Sequence, residues 1–289
     1  MKNSHILLVL ILSAAIAFGV VKLTAQHSSD TPVQESAYDR VLRTGELRCG
    51  YAFWPKVFMK DPQTGEFTGI VYDVMQAIGD KLYVKIVWAE ETGWSNYIES
   101  LKTHRIDAMC SSIWRNAERG RYTSFVTPMF YNAIYPYVAE GDHRFDKDLS
   151  IVDNPDIHIS TMDGEMSDVI AKAHFSKATK VSVPQLGQST DILMNVATHK
   201  ADIVFTSSDI VGEFIKANPH SIRAAQDTPF QVFPAAIPVD IHETQLHDMI
   251  DSAMVELHNQ GIVEEILTKY QADPKDYLRL AKPYAAVEK

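Results

Sequence analysis

The residues best suited to chemistry lie in one run, Ser111-Ser112-Ile113-Trp114-Arg115-Asn116-Ala117-Glu118-Arg119. Its pattern reads as a strand end followed by a short helix that Asn116 caps. Hydroxyls, free backbone N–H groups and an arginine near a helix start make an anion site. Arg119 presents a planar fork that matches a carboxylate in two parallel bonds, although on a plain surface helix it would face solvent. Trp54 and Trp94 follow strand ends, where an indole is either a flat wall for a ligand or ordinary core packing. Asp163-Gly164-Glu165-Met166-Ser167 joins a strand to a helix. Glu165 there either accepts a hydrogen bond from a ligand or serves the first helical turn through the helix dipole.

Signatures of catalysis are missing: the chain has no Gly-x-Ser-x-Gly, no His-Glu-x-x-His and no Gly-rich phosphate loop. The eleven histidines are scattered, and His242 and His247, five apart, do not share a helical face. The expectation is a binding protein, not an enzyme, with no cofactor and no metal. A net charge of −10 without basic clusters argues against nucleic acid. With 289 residues, 46% hydrophobic and 22% charged, the chain has ample material for a large core or two lobes.

The elements that must position these residues alternate. A strand is expected at 46–51, a helix at 69–82, β-rich sequence at 83–89, a helix at 94–102 and a strand at 105–111. Such alternation implies parallel strands joined by crossovers. A second series follows the break at Glu140-Gly141-Asp142: strands at 157–161, 180–183 and 202–206, and helices at 167–174, 190–198 and 209–217. Two helices, 243–260 and 262–269, follow a return segment, and the polar tail after Asp273 has no reading. Small ligands bind facing the carboxyl ends of parallel strands, which singles out 51–54, 111–119, 161–167 and 206–208. Cys49 and Cys110 fall in neighbouring strands, where the sequence favours two buried thiols over a bridge.

The N-terminus stands apart. Lys2 precedes an apolar run, 6–21, that is closed by Lys22. It is long for a signal peptide and short for a span, and either reading places the body outside the cytoplasm. The expected organisation is 1–26 signal peptide or membrane anchor, 27–37 linker, 38–136 first part of lobe 1, 137–230 lobe 2, and 231–289 the return to lobe 1.

The order of these segments resembles the family-3 extracellular solute-binding proteins of polar amino-acid ABC transporters. Leu47-Arg48-Cys49-Gly50-Tyr51 looks like the family's opening strand, and 68–82 is similar to its first helix. Ile106-Asp107-Ala108-Met109, Ala117-Glu118-Arg119 and Ser124-Phe125-Val126-Thr127-Pro128-Met129-Phe130-Tyr131 carry the most specific likeness. The resemblance implies a periplasmic binding protein-like type II fold, two α/β lobes joined by two crossover strands. It implies Arg119 and Ser112, beside Ser111, at a ligand carboxylate, and Trp94 and Trp54 sandwiching the ligand. It also shows departures. Trp114 stands where a small hydroxyl residue is usual, and Ser207 where an aspartate holds the α-ammonium. Ala52 and Val71 replace acids, and Asp163-Gly164-Glu165 replaces Gly-Thr-Thr.

The function expected is capture of a small carboxylate-containing organic ligand, an amino acid or related acid, in the periplasm. Ligand docks on Arg119, Ser112 and the tryptophans, and the second lobe closes, bringing Glu165 and Ser207. Hinges are expected near 135–139 and 228–232. A monomer would present the closed form to an ABC permease or a chemoreceptor. The alternatives are a membrane-tethered sensor or scaffold of the same fold, and a cyclohexadienyl dehydratase-like lyase using Glu165 as general acid or base.

Overall fold

The computed structural model describes residues 35–281. The segment 1–26, read as signal peptide or anchor, lies outside the described residues, as does most of the linker. Among the described residues no helix is long and apolar enough to cross a membrane.

Helix α1 (Ala37–Thr44) leads into β1 (Glu46–Tyr51). A small hairpin, β2 (Met59–Lys60) with β3 (Phe67–Thr68), turns at Asp61, whose carboxylate accepts from the Gln63 and Thr64 N–H groups. Helix α2 (Ile70–Leu82) crosses to β4 (Lys85–Glu91), and α3 (Tyr97–Lys102) crosses back to β5 (Ala108–Met109). Both strands pair parallel with β1, as the alternation requires. Next come β6 (Ile113–Trp114), a short 3-10 turn over Arg119–Arg121, β7 (Thr123–Phe125) and the long β8 (Phe130–Ala139).

The second series gives β9 (His158–Met162), α4 (Met166–His174), β10 (Thr179–Val183), α5 (Ser189–Ala197), β11 (Ile203–Ser207), α6 (Ser208–Ala217) and β12 (Ile222–Ala224). The chain returns through β13 (Gln231–Ala236) and β14 (Pro238–Asp240), and ends in α7 (Thr244–Asn259) and α8 (Ile262–Tyr270). The first lobe holds a sheet in the order β4-β1-β5-β14-β7. The second holds β10-β9-β11-β8-β13-β6, with β12 beside β8. The chain passes from the first sheet to the second between β7 and β8 and returns between β13 and β14, while the two-residue β6, lying between β5 and β7 in the chain, also joins the second sheet's edge through β13.

Both lobes use the same junction. Asp107, just before β5, has a fully buried carboxylate that accepts from the Arg48 N–H at 2.6 Å. The Arg48 guanidinium adds a contact at 2.8 Å, and Arg40 of α1 joins from the other side. Asp202, just before β11, accepts from the His158 N–H at 2.7 Å and from Arg144 at 2.6 Å. In each lobe an aspartate ahead of one strand pins its parallel neighbour. Removing one partner of so buried a group would leave an uncompensated charge.

The structure differs from the sequence reading at three places. The strand expected over 105–111 contracts to β5, because Arg105 turns out to pair with Glu90 and Ser100. The hinge expected at 135–139 lies inside the second sheet, with 135–138 paired to β11 on one side and 137–139 to β12 on the other. Between the sheets lie 126–129 and Ile237, joined by a hydrogen bond from the Val126 N–H to the Ile237 carbonyl at 3.1 Å. The third difference is covalent: Cys49 and Cys110 form a disulfide, with Cα atoms 5.2 Å apart. Cys49 faces Ala108 across the parallel pair, and Cys110, two residues on, returns to the same side just past the strand end.

The bridge closes a loop with a sequence separation of 61 residues. Native bridges of this kind contribute about 2–5 kcal/mol. The double variant Cys49→Ala/Cys110→Ala is therefore expected to melt several degrees below the parent. Titration of the unfolded, unreduced parent should find no free thiol; two free thiols would contradict the pairing.

Candidate ligand-binding cleft

One cavity between the lobes is lined by Trp54, Val57, Trp94, Ser112, Trp114, Arg119, Asn132, Glu165, Met166 and Asp209. Six of the eight residues singled out from sequence meet there. Ser111 and Ser207 do not. Ser111 is wholly buried, its hydroxyl without a hydrogen-bond partner, because successive residues of an extended chain point opposite ways and Ser112 takes the cleft side. Ser207 ends β11 and turns its hydroxyl onto the Asp209 carboxylate.

Arg119 is held where its sequence suggested. The Asn116 side chain accepts from the Arg119 N–H at 2.9 Å, which caps the 3-10 turn. Arg119 is only 7% exposed, and the partners of its guanidinium are carbonyls: Trp114 at 2.9 Å, Gly164 at 2.8 Å and Trp94 at 3.4 Å. Among the described residues no carboxylate pairs with it, and no acceptor meets its Nε–H. A buried cation with an open N–H edge is arranged to receive an anion.

The acids come from the second lobe. Glu165 caps α4, its Oε2 accepting from the Ser167 N–H at 2.7 Å and the Ser167 hydroxyl at 2.6 Å. It thus serves the helix and also lines the cavity. Burial raises its carboxyl above the ordinary range, against the pull of the Ser167 hydrogen bonds.

Asp209 was not expected. It lies in the first turn of α6, 1% exposed, and accepts from the Trp54 indole N–H at 3.3 Å. Burial, reinforced by the nearby Asp276 charge, pushes it up to about 6. It stands two residues after Ser207, the position at which the resemblance implies an acid. Asn132 was missed as well; a lone amide in an apolar strand was the available signal. It accepts from the Trp114 indole N–H at 2.9 Å, while Trp114 stacks on Phe233 at 5.7 Å.

Trp54 and Trp94 meet edge to face, centroids 5.4 Å apart at 87°, and not as two parallel walls. The lobes touch elsewhere too. Gly164, at φ +73°, has no room for a Cβ, which would stand 2.8 Å from the Ser95 hydroxyl of the facing lobe. Gln185 accepts from that hydroxyl at 3.2 Å. The free volume between the walls is about 10 Å³, the size of one water, so a ligand enters only when the lobes part. A wider groove of about 860 Å³ opens beside Trp54 and Trp94, between loops 52–65 and 185–190. Among the described residues no group of three His, Cys, Asp or Glu side chains is placed to hold a metal ion.

Residues 47–273 match the sequence profile of the bacterial extracellular solute-binding proteins, family 3. This chain belongs to that family. Within it, the chain is 25% identical over 237 residues to the probable amino-acid-binding protein YxeM of Bacillus subtilis, covering 80% of this chain and 84% of that one. It is 26% identical over 181 residues to the cyclohexadienyl dehydratase of Pseudomonas aeruginosa, covering 63% of this chain and 66% of that enzyme. Among solved structures it resembles an ancestral amino acid-binding protein described as a precursor of cyclohexadienyl dehydratase. The TM-score is 0.70 at 20% identity, over 82% of this chain and 99% of the other. That likeness concerns the fold, and the fold is the two-lobed one the sequence implied. This family-3 protein is a solute-binding protein whose cleft carries a cation on one lobe and acids on the other.

Proposed function

We propose that the protein captures a small α-amino acid with an apolar or aromatic side chain, and hands it to an ABC permease outside the cytoplasm. The observation that carries this reading is the pairing of Arg119 on one lobe with Asp209 on the other, both lining a single cavity. The ligand carboxylate takes the open edge of Arg119, with Ser112 beside it. Its ammonium takes Asp209, and Glu165 supplies a further oxygen. Trp54, Trp94, Val57 and Met166 enclose the side chain. A ligand that bridges both charges is bound fully only when the lobes are together, so binding and closure are one event.

A thermal-shift comparison of three matched compounds tests this: an L-amino acid, the acid lacking its amine and the amine lacking its carboxylate. Ligand at a hundredfold excess over its dissociation constant stabilises by about 2.7 kcal/mol. The amino acid is expected to raise the melting temperature and both truncated compounds to raise it far less. An equal shift from the acid alone would remove Asp209 from the reading.

A second reading rests on the likeness to cyclohexadienyl dehydratase and on Glu165, a carboxyl in the cavity that burial holds above its ordinary range. Turnover of prephenate or arogenate, followed by absorbance of the aromatic product, would decide for it.

A further inference from the structure

The family profile ends at residue 273, yet the chain beyond it is not a loose tail. Asp276 and Tyr277 are buried, 3% and 1% exposed. Leu278 exchanges backbone hydrogen bonds with Tyr131 of β8, both 2.8 Å, and Tyr277 packs edge-on against Phe130. Arg279 fastens the segment to α8 through Glu264 and donates to the Tyr277 carbonyl at 2.6 Å. The strap therefore lies along the crossing between the lobes, beneath the cleft.

Its side chains reach both lobes. Asp276 accepts from Lys56 of the first lobe at 3.4 Å and from the Ser208 hydroxyl of the second at 3.0 Å. Its own turn supplies two more donors, the N–H groups of Ala272 and Asp273, at 3.3 and 3.1 Å. Its carbonyl accepts from Asn132, which lines the cavity. The Tyr277 hydroxyl is buried without a hydrogen bond of full geometry, close enough to Asp209 to interact with its carboxylate, and lies in the fields of Asp209 and Asp276.

We infer that the strap 272–278 belongs to the binding machinery: Asp276 and Tyr277 are positioning residues that set the charge and placement of Asp209. This rests on the reading of Asp209 as the ammonium's partner. The groups around Asp209 are the hydroxyl of Ser207 and the indole of Trp54, with Asp276, Tyr277 and Tyr137 contributing charge or phenol. Lys56 lies behind Asp276, also within reach of Glu213 at 3.7 Å. Like charge from Asp276 keeps Asp209 easily protonated, and Lys56 moderates that effect by neutralising Asp276. Because Asp276 bridges Lys56 and Ser208, parting the lobes stretches these contacts and alters the field at Asp209. The strap thereby couples closure to the acid that reads the ligand.

The test is a carbon-13 carboxyl titration of Asp209 in the ligand-free full chain, for the parent, Asp276→Asn and Lys56→Gln. Asp276→Asn should lower the Asp209 midpoint by about one pH unit, and Lys56→Gln should raise it. A merely structural strap would move both in the same direction or neither, and that result would overturn the inference. Should Asp276→Asn fail to fold, Lys56→Gln alone decides, since an unmoved or lowered midpoint contradicts the proposal. A second arm measures affinity against pH for the L-amino acid giving the largest thermal shift on the parent. The acid limb should move with the titration midpoint in each variant. No shift with any amino acid would sink the ligand reading, while the titration still judges the strap.

Discussion

Replacing Arg119 by glutamine is expected to abolish ligand capture while leaving the fold intact. Removing one member of a buried, hydrogen-bonded charge pair costs about 2–5 kcal/mol, roughly 30- to 5,000-fold in affinity. The fold should tolerate the change. The arginine's partners are carbonyls, so no buried carboxylate is orphaned, and a glutamine amide can still donate to one of them. Arg119→Lys keeps the charge but loses the planar fork and should recover only part of the affinity. Calorimetric titration of parent and variants with the amino acid found by thermal shift measures the loss. Unchanged affinity in Arg119→Gln would place the carboxylate elsewhere.

The second large effect concerns Asp209 and runs in opposite directions for stability and binding. A carboxyl raised from the ordinary 3.8 to about 6 in the fold favours folding below pH 4, and that contribution is lost as pH rises through 6. At about 1.4 kcal/mol per pH unit, the interval corresponds to about 3 kcal/mol of destabilisation at neutral pH. Asp209→Asn removes the burden. The amide keeps an acceptor for the Trp54 indole, and the Ser207 hydroxyl can rotate to meet its N–H.

The variant is therefore expected to melt about 5–10 °C above the parent at pH 7.5. The difference should shrink toward zero by pH 4. Amino-acid affinity should fall by the same order as for Arg119→Gln, because the ammonium loses its counter-charge. In the parent, affinity should weaken as pH drops through about 6, where Asp209 takes up its proton. Melting curves and titrations at several pH values check both halves. A variant that binds normally would remove Asp209 from the site.

Such a gain in stability with a loss of function is what a binding site held at a cost to the fold predicts. The cleft concentrates groups that water would solvate better: a guanidinium facing carbonyls, and two buried carboxyls whose protons are held more tightly than usual. Ligand charges of opposite sign would compensate both.

Much of this arrangement was legible before any coordinates. Periodicity placed β1 and the boundaries of most helices within a residue or two, because alternating α/β lobes announce themselves through local pattern. Arg119, Glu165 and the tryptophans could be found because each follows a strand end facing the cleft. What sequence did not disclose depends on contacts distant along the chain. Asp209 stood in the sequence only as the first residue of an expected helix, and its hydrogen bond to Trp54 depends on a contact 155 residues distant along the chain. Asp276 and Tyr277 follow a polar turn with no periodicity, and their burial depends on β8, more than a hundred residues earlier. The disulfide required the β1–β5 register, which composition does not give. Ser207 showed in sequence that no acid stands at that position, but not that Asp209, two residues along on the helix, faces the cavity.

The central claim is that one zwitterion bridges Arg119 and Asp209. A crystal structure of the protein with the amino acid selected by thermal shift tests it most directly. The account predicts the carboxylate on the Nε edge of Arg119, the ammonium within hydrogen-bond distance of Asp209, and the side chain among Trp54, Trp94 and Met166. A ligand whose amine points away from Asp209, or one lodged only in the outer groove beside loop 52–65, would contradict it.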